Sequence, residues 1–214
     1  MQTSIRWRWS LCLVALMMGA EDPARDEIQV GSRAPVTSAT AACGPWLKRC
    51  PLDAESYGKV RGVSPATSPD AKLLIYARKL DGNFFRLAKA IDAVVADNPR
   101  LEWSFVQVLD ERGAQRGGYS AEELERRLAE IRDLAKEHGI EHLSFVVSAP
   151  SAGSFAPRLG LVDGPDVLVA HLEPGADGDR SSLIRWFRRG DSSKLDEAAI
   201  GEWTGALQES VGRR

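Results

Sequence analysis

The sequence predicts an α/β fold: a mixed sheet flanked by helices on both faces. Three observations predict it. Short apolar runs alternate with amphipathic stretches of helical period from residue 72 onward, which requires parallel strands joined by right-handed helical crossovers. The alternation then gives way to two strand-like runs across a Gly- and Pro-rich turn, so antiparallel strands join the sheet before a last helix. The 214 residues are 43% hydrophobic and 27% charged, enough apolar material for one core without a metal or disulfide to staple it.

The elements follow in order. Leu73-Leu74-Ile75-Tyr76-Ala77 is a short apolar run suited to a strand buried on both faces. Asp81 caps the next helix, in which Phe84, Leu87, Ala88, Ile91, Val94 and Val95 share one face, and Asn98-Pro99 stops it. A second strand spans Trp103 to Leu109. Ser120-Ala121-Glu122-Glu123 is a capping box that opens a helix with Leu124, Leu128, Ile131 and Ala135 inward and Gly139 at its end. Its outer face sets Glu122 against Arg126 and Glu123 against Arg127, the spacing of a solvated face. Leu143 to Val147 is a third strand. Gly164-Pro165 leads into a fourth, Asp166 to Leu172, and Leu183 to Arg188 returns as a hairpin. Lys194 to Val211 closes the chain as a helix with Leu195, Ala199, Trp203, Ala206 and Leu207 inward.

The N-terminal third reads differently. Residues 1–20 form a cleavable export signal: Arg6 and Arg8 come first, Leu11 to Met18 is apolar throughout, and Gly19-Ala20 supplies small residues for cleavage. Those eight apolar residues reach only about 12 Å as a helix against about 30 Å of hydrocarbon, so no membrane span is expected. Residues 21–70 are a charged leader and a Pro-rich irregular segment. Within it Ile28-Gln29-Val30-Gly31 suits a short strand, whereas Pro35, Pro45, Pro51, Pro65 and Pro69 disfavour long helices and central strands. Residues 71–214 are the folded domain. An exported, periplasmic or extracellular location follows from the signal. Without Arg6 and Arg8 the chain keeps 26 basic and 30 acidic residues, a charge of −4, with no basic stripe to bind nucleic acid.

Cleavage removes Cys12 and leaves Cys43 and Cys50, an even count in an oxidising compartment. Three readings of the pair stand: a structural disulfide pinning the Pro-rich segment, a reversible redox pair, and two ligands of a metal site that would need further donors. No cofactor is implied. His138 suits a helix C-terminus, while His142 and His171 fall near strands with no partner motif. Asp81 and Asn83 are capping groups before they are acid–base candidates, and Asp163-Gly164-Pro165-Asp166 is a turn. Trp186-Phe187-Arg188-Arg189 suits a hairpin strand with one buried face.

The order of elements resembles the thioredoxin-like superfamily, especially its peroxiredoxin-like branch. Val30-Gly31-Ser32-Arg33-Ala34-Pro35 looks like the Val-Gly-x-x-Ala-Pro opening of that branch. Gly164-Pro165 stands where the resemblance implies a cis-proline at Pro165. Ala77-Arg78-Lys79-Leu80-Asp81 and Leu195-Asp196-Glu197-Ala198-Ala199-Ile200 look like an exported bacterial group of unassigned function. In catalytic relatives a cysteine opens the first long helix, whose N-terminus lowers the thiol pKa. Here Lys79-Leu80-Asp81-Gly82-Asn83-Phe84 fills that place without a thiol, which counts equally against the copper chaperones of this fold. Cys43-Gly44-Pro45-Trp46 is similar to thioredoxin's Trp-Cys-Gly-Pro-Cys, but its Trp follows the cysteine and Cys50 comes seven residues later. The resemblance therefore implies a non-catalytic interaction or scaffold module with a protein partner. A thiol-disulfide oxidoreductase using Cys43 and Cys50 is the first alternative, and a metal-delivery protein the second.

Overall fold

The computed structural model describes residues 28–34, 39–43, 72–101, 104–109, 120–148, 156–161, 164–175 and 182–212. Strands β1 (Ala39–Cys43), β2 (Leu73–Ala77), β3 (Ser104–Val108), β4 (Ser144–Ser148), β5 (Val167–Pro174) and β6 (Ser182–Gly190) form one sheet in the order β1-β4-β3-β2-β5-β6. β2, β3 and β4 run parallel, while β5, β6 and β1 pair antiparallel to their neighbours. This is the mixed α/β sheet expected from the element order. The crossover helices are α1 (Gly82–Asp97) and α2 (Ala121–Glu137), and α3 (Glu197–Gly212) closes the chain.

Every residue of β2 and β3 is buried, which erases the period-2 signal and explains why these strands read as continuous apolar runs. The two faces are nevertheless distinct. Leu73, Ile75, Val106, Phe145 and Val169 join one core with residues of all three long helices. Leu74, Tyr76, Phe105, Val146 and Leu168 join a second core with Ile28, Ala34, Ala156 and Leu159. The expectation of helices on both faces is corrected among the described residues, since all three long helices pack on the first face. The only helix described on the second face is the 3-10 turn Pro157–Leu159, because β2→β3 and β3→β4 step in the same direction and put both crossovers on one side.

Helix termini follow the sequence. Asp81 Oδ1 accepts from the Phe84 N–H at 2.8 Å. Ser120 Oγ accepts from the Glu123 N–H while the Glu123 carboxylate accepts from the Ser120 N–H at 2.9 Å, the reciprocal pair predicted. Replacing Ser120 by alanine is expected to remove about 1 kcal/mol, measured as a lower urea midpoint at unchanged m. Asn98 caps the end of α1, and His138 caps α2 with its ring stacked on Phe85 at 4.7 Å.

The N-terminal third departs from expectation twice. Ile28–Gly31 is a turn rather than a strand: the Ser32 N–H returns to Gln29 O, and a single bridge joins Arg33 to Leu183. The segment 32–70 is also not irregular throughout, since β1 adds to the edge of β4. Ile28 and Ala34 thus join the second core, and Ala39–Cys43 join the same sheet. Ala-Thr-Ala-Ala-Cys carries a strand-forming side chain only at Thr40, and its pairing with a partner a hundred residues away comes from the edge of β4. The expected signal at residues 1–20 lies outside the described residues.

Candidate functional site

The parallel strands point their C-terminal ends toward the start of α1, the helix that follows β2. β2 ends at Ala77, and the Arg78 N–H donates to Asp166 O at 2.8 Å, so the start of β5 lies directly beside the α1 mouth. Asp166 is 3% exposed and Ser192 1%. Asp166 Oδ1 accepts from the Ser192 N–H at 2.7 Å, and its Oδ2 accepts from Ser192 Oγ at 2.9 Å. The same hydroxyl lies 3.2 Å from Asp81 Oδ2. One hydroxyl hydrogen therefore serves two carboxylates, and the 3-10 turn Ser192–Lys194 is drawn down over the first turn of α1. Lys79 Nζ, largely exposed, stands 3.5 Å from Asp166 Oδ2, while Arg78 Nη1 donates to Leu161 O at 2.7 Å.

A carboxylate suits a helix N-terminus electrostatically, as a thiolate does. What it lacks is sulfur nucleophilicity and two-electron redox chemistry. Asp81 uses one oxygen to cap α1 and the other to meet Ser192, and Asp166 is engaged at both oxygens. The arrangement fixes three segments together, and among the described residues no thiol stands at the mouth.

Pro165 reaches the expected position, immediately before Asp166, but its peptide bond is trans. The turn is made instead by Gly164, whose φ of 142° is a conformation side chains exclude. The implied cis-proline is corrected accordingly. Cys43 ends β1 opposite Phe145, three strands from β2. At about 4.8 Å per strand its backbone lies about 14 Å across the sheet from β2, level with Ile75 rather than Ala77. The structure thus does not bring Cys43 to the α1 mouth, and Cys50 lies outside the described residues. Among the described residues no cluster of three His, Cys, Asp or Glu forms a metal site. Nor is any described helix long and apolar enough to cross a membrane.

The histidines find partners the sequence did not reveal. His142 Nδ1 lies 3.2 Å from Asp92 Oδ2, and His171 Nδ1 lies 2.9 Å from Ser210 Oγ. Asn83 accepts from Arg86, one turn along α1. Trp186 sits on the helix-bearing face of β6, as a hairpin strand requires. The residues missed were Asp166, Ser192 and Asp92. Asp92 did carry a signal, an acid four residues after Ala88 on the apolar stripe of α1. Ser192 carried none, because the meeting with Asp81 spans 111 positions.

No protein-family model matches the chain, and no curated protein matches it. Solved structures do. A protein assigned as the thiol:disulfide interchange protein DsbE of Chlorobium tepidum is 12% identical with a TM-score of 0.49, over 87% of this chain and 100% of that one. A yeast mitochondrial 1-Cys peroxiredoxin is 11% identical with a TM-score of 0.47, over 86% and 78%. AhpC of Mycobacterium tuberculosis is 12% identical with a TM-score of 0.43, over 85% and 94%. These chains are similar to this one in outline.

Proposed function

We propose that the mature protein is an exported thioredoxin-like domain, periplasmic or extracellular, that works as a non-catalytic interaction or scaffold module for a protein partner. One observation carries this reading. The mouth of α1 holds Asp81, Ser192 and Asp166 in mutual hydrogen bonds where a reactive thiol would stand. The apolar run Leu11–Met18 behind Arg6 and Arg8 supports export. Insulin reduction and peroxide consumption by the mature protein are expected to stay at the level of a buffer blank. Robust turnover in either assay overturns the reading.

The rival reading is a thiol-disulfide oxidoreductase using Cys43 and Cys50. It predicts a bond that opens near periplasmic redox poise, whereas a structural bond resists reduction until below about −300 mV. The scaffold reading expects the second outcome in a redox titration with thiol trapping. The position of Cys43 in an edge strand, away from the α1 mouth, favours it.

A further inference from the structure

Away from the α1 mouth, α3 and the start of β6 border an open groove of about 370 Å³. Trp186 and Ala206 give it an apolar lining, with Ser210 beside them. Arg185 contributes a cation from β6, and Glu209 an anion from α3. Val30, from the turn that precedes β1, lines the groove as well. It is 65% exposed, the only large exposed apolar side chain among the described residues. An apolar knob thus lies beside an apolar hollow, and the hollow carries one charge of each sign. Arg185 already holds Glu173 at 2.6 Å, but a guanidinium has several N–H donors and can take a second carboxylate.

We infer that a second copy of this chain docks at the groove across a two-fold axis. Val30 of each copy then sits against Trp186 and Ala206 of the other, and Arg185 of each pairs with Glu209 of the other. Charge argues for this occupant. A two-fold contact sets a patch against itself, so a patch of one sign repels its copy. A patch with a cation on one side and an anion on the other meets complementary charge instead. A stable interface takes about 800 Å² from each partner, more than a groove of this size offers. The remainder is available along α3, whose sixteen residues border the groove. Gly201, Gly205 and Glu209 follow at i,i+4 spacing and share one side of that helix. A Cβ built at Gly201 or Gly205 meets nothing within 4 Å, so no contact inside the chain requires glycine there. Glycine within a helix costs stability relative to alanine, and it lets a second backbone approach closely. The inference does not depend on whether the chain is catalytic.

The test is sedimentation equilibrium of the mature protein at micromolar concentrations. The wild type is expected to reach twice the mass of one chain. Val30→Asp, at an exposed position, is expected to raise the dimer dissociation constant at least about tenfold. Glu209→Arg, also exposed, is expected to do the same by setting arginine against Arg185 across the axis. Arg185→Glu sets glutamate against Glu209 with the same result. Mixing the Arg185→Glu and Glu209→Arg proteins restores both cross-pairs, so the mixture is expected to regain the dimer that each variant loses alone. A wild type that stays at the mass of one chain leaves the groove to another occupant and overturns the inference. So does a dimer that survives Val30→Asp, or a mixture of folded charge variants that stays monomeric. Should Arg185→Glu not fold beside Glu173, Val30→Asp and Glu209→Arg decide, and an unchanged dimer in either rejects the contact.

Discussion

Replacing Asp92 by alanine is expected to lower the stability of the protein by about 3–5 kcal/mol. The carboxylate is 3% exposed and accepts from three successive backbone N–H groups, those of Glu141, His142 and Leu143, at 3.1, 2.7 and 2.9 Å. It thereby ties the middle of α1 to the chain entering β4. Alanine leaves three donors without an acceptor, and the Leu143 N–H is buried away from replacement water. For a domain whose whole stability is on the order of 5–15 kcal/mol, such a loss moves the thermal midpoint by about 10 °C or more. Urea unfolding followed by circular dichroism measures it. Asp92→Asn keeps one acceptor oxygen and should lose less. A loss under about 1 kcal/mol for the alanine variant would show that the loop finds other acceptors, contrary to this geometry.

The second effect concerns the α1 mouth. Asp166→Ala is expected to remove about 2–4 kcal/mol, because the buried Ser192 N–H loses its acceptor and the Ser192 hydroxyl keeps only its 3.2 Å contact to Asp81 Oδ2. The Lys79 contact adds little, since that ammonium is exposed and screened. Ser192→Ala removes only the hydroxyl and should cost less. Because Ser192 links both carboxylates, the double variant Asp166→Ala/Ser192→Ala is expected to lose less than the sum of the single losses. Additive losses in that cycle would mean that the three side chains do not act as a unit. Neither variant is expected to gain thiol or peroxide chemistry, as no sulfur is introduced.

Most of the scaffold is legible in the order of residues alone. Apolar runs place β2 to β6, stripes at helical spacing place α1, α2 and α3, and Asp81 and Ser120 mark two helix starts at the correct residue. These are local properties, since a cap or a stripe is set by residues three or four apart. The absence of a thiol before α1 is legible for the same reason. How distant polar groups meet is settled by the assembled fold instead. The contacts of Asp166 with Ser192, Asp92 with His142 and His171 with Ser210 span 26, 50 and 39 positions, and no periodicity encodes them. The same holds for β1, which strand propensity alone does not predict and which forms because β4 offers an unpaired edge. It holds too for the trans bond at Pro165, where the conformation of Gly164 turns the chain. A hydrogen bond between distant segments depends on the sheet register that brings them to the same depth, and register is a property of the assembled sheet.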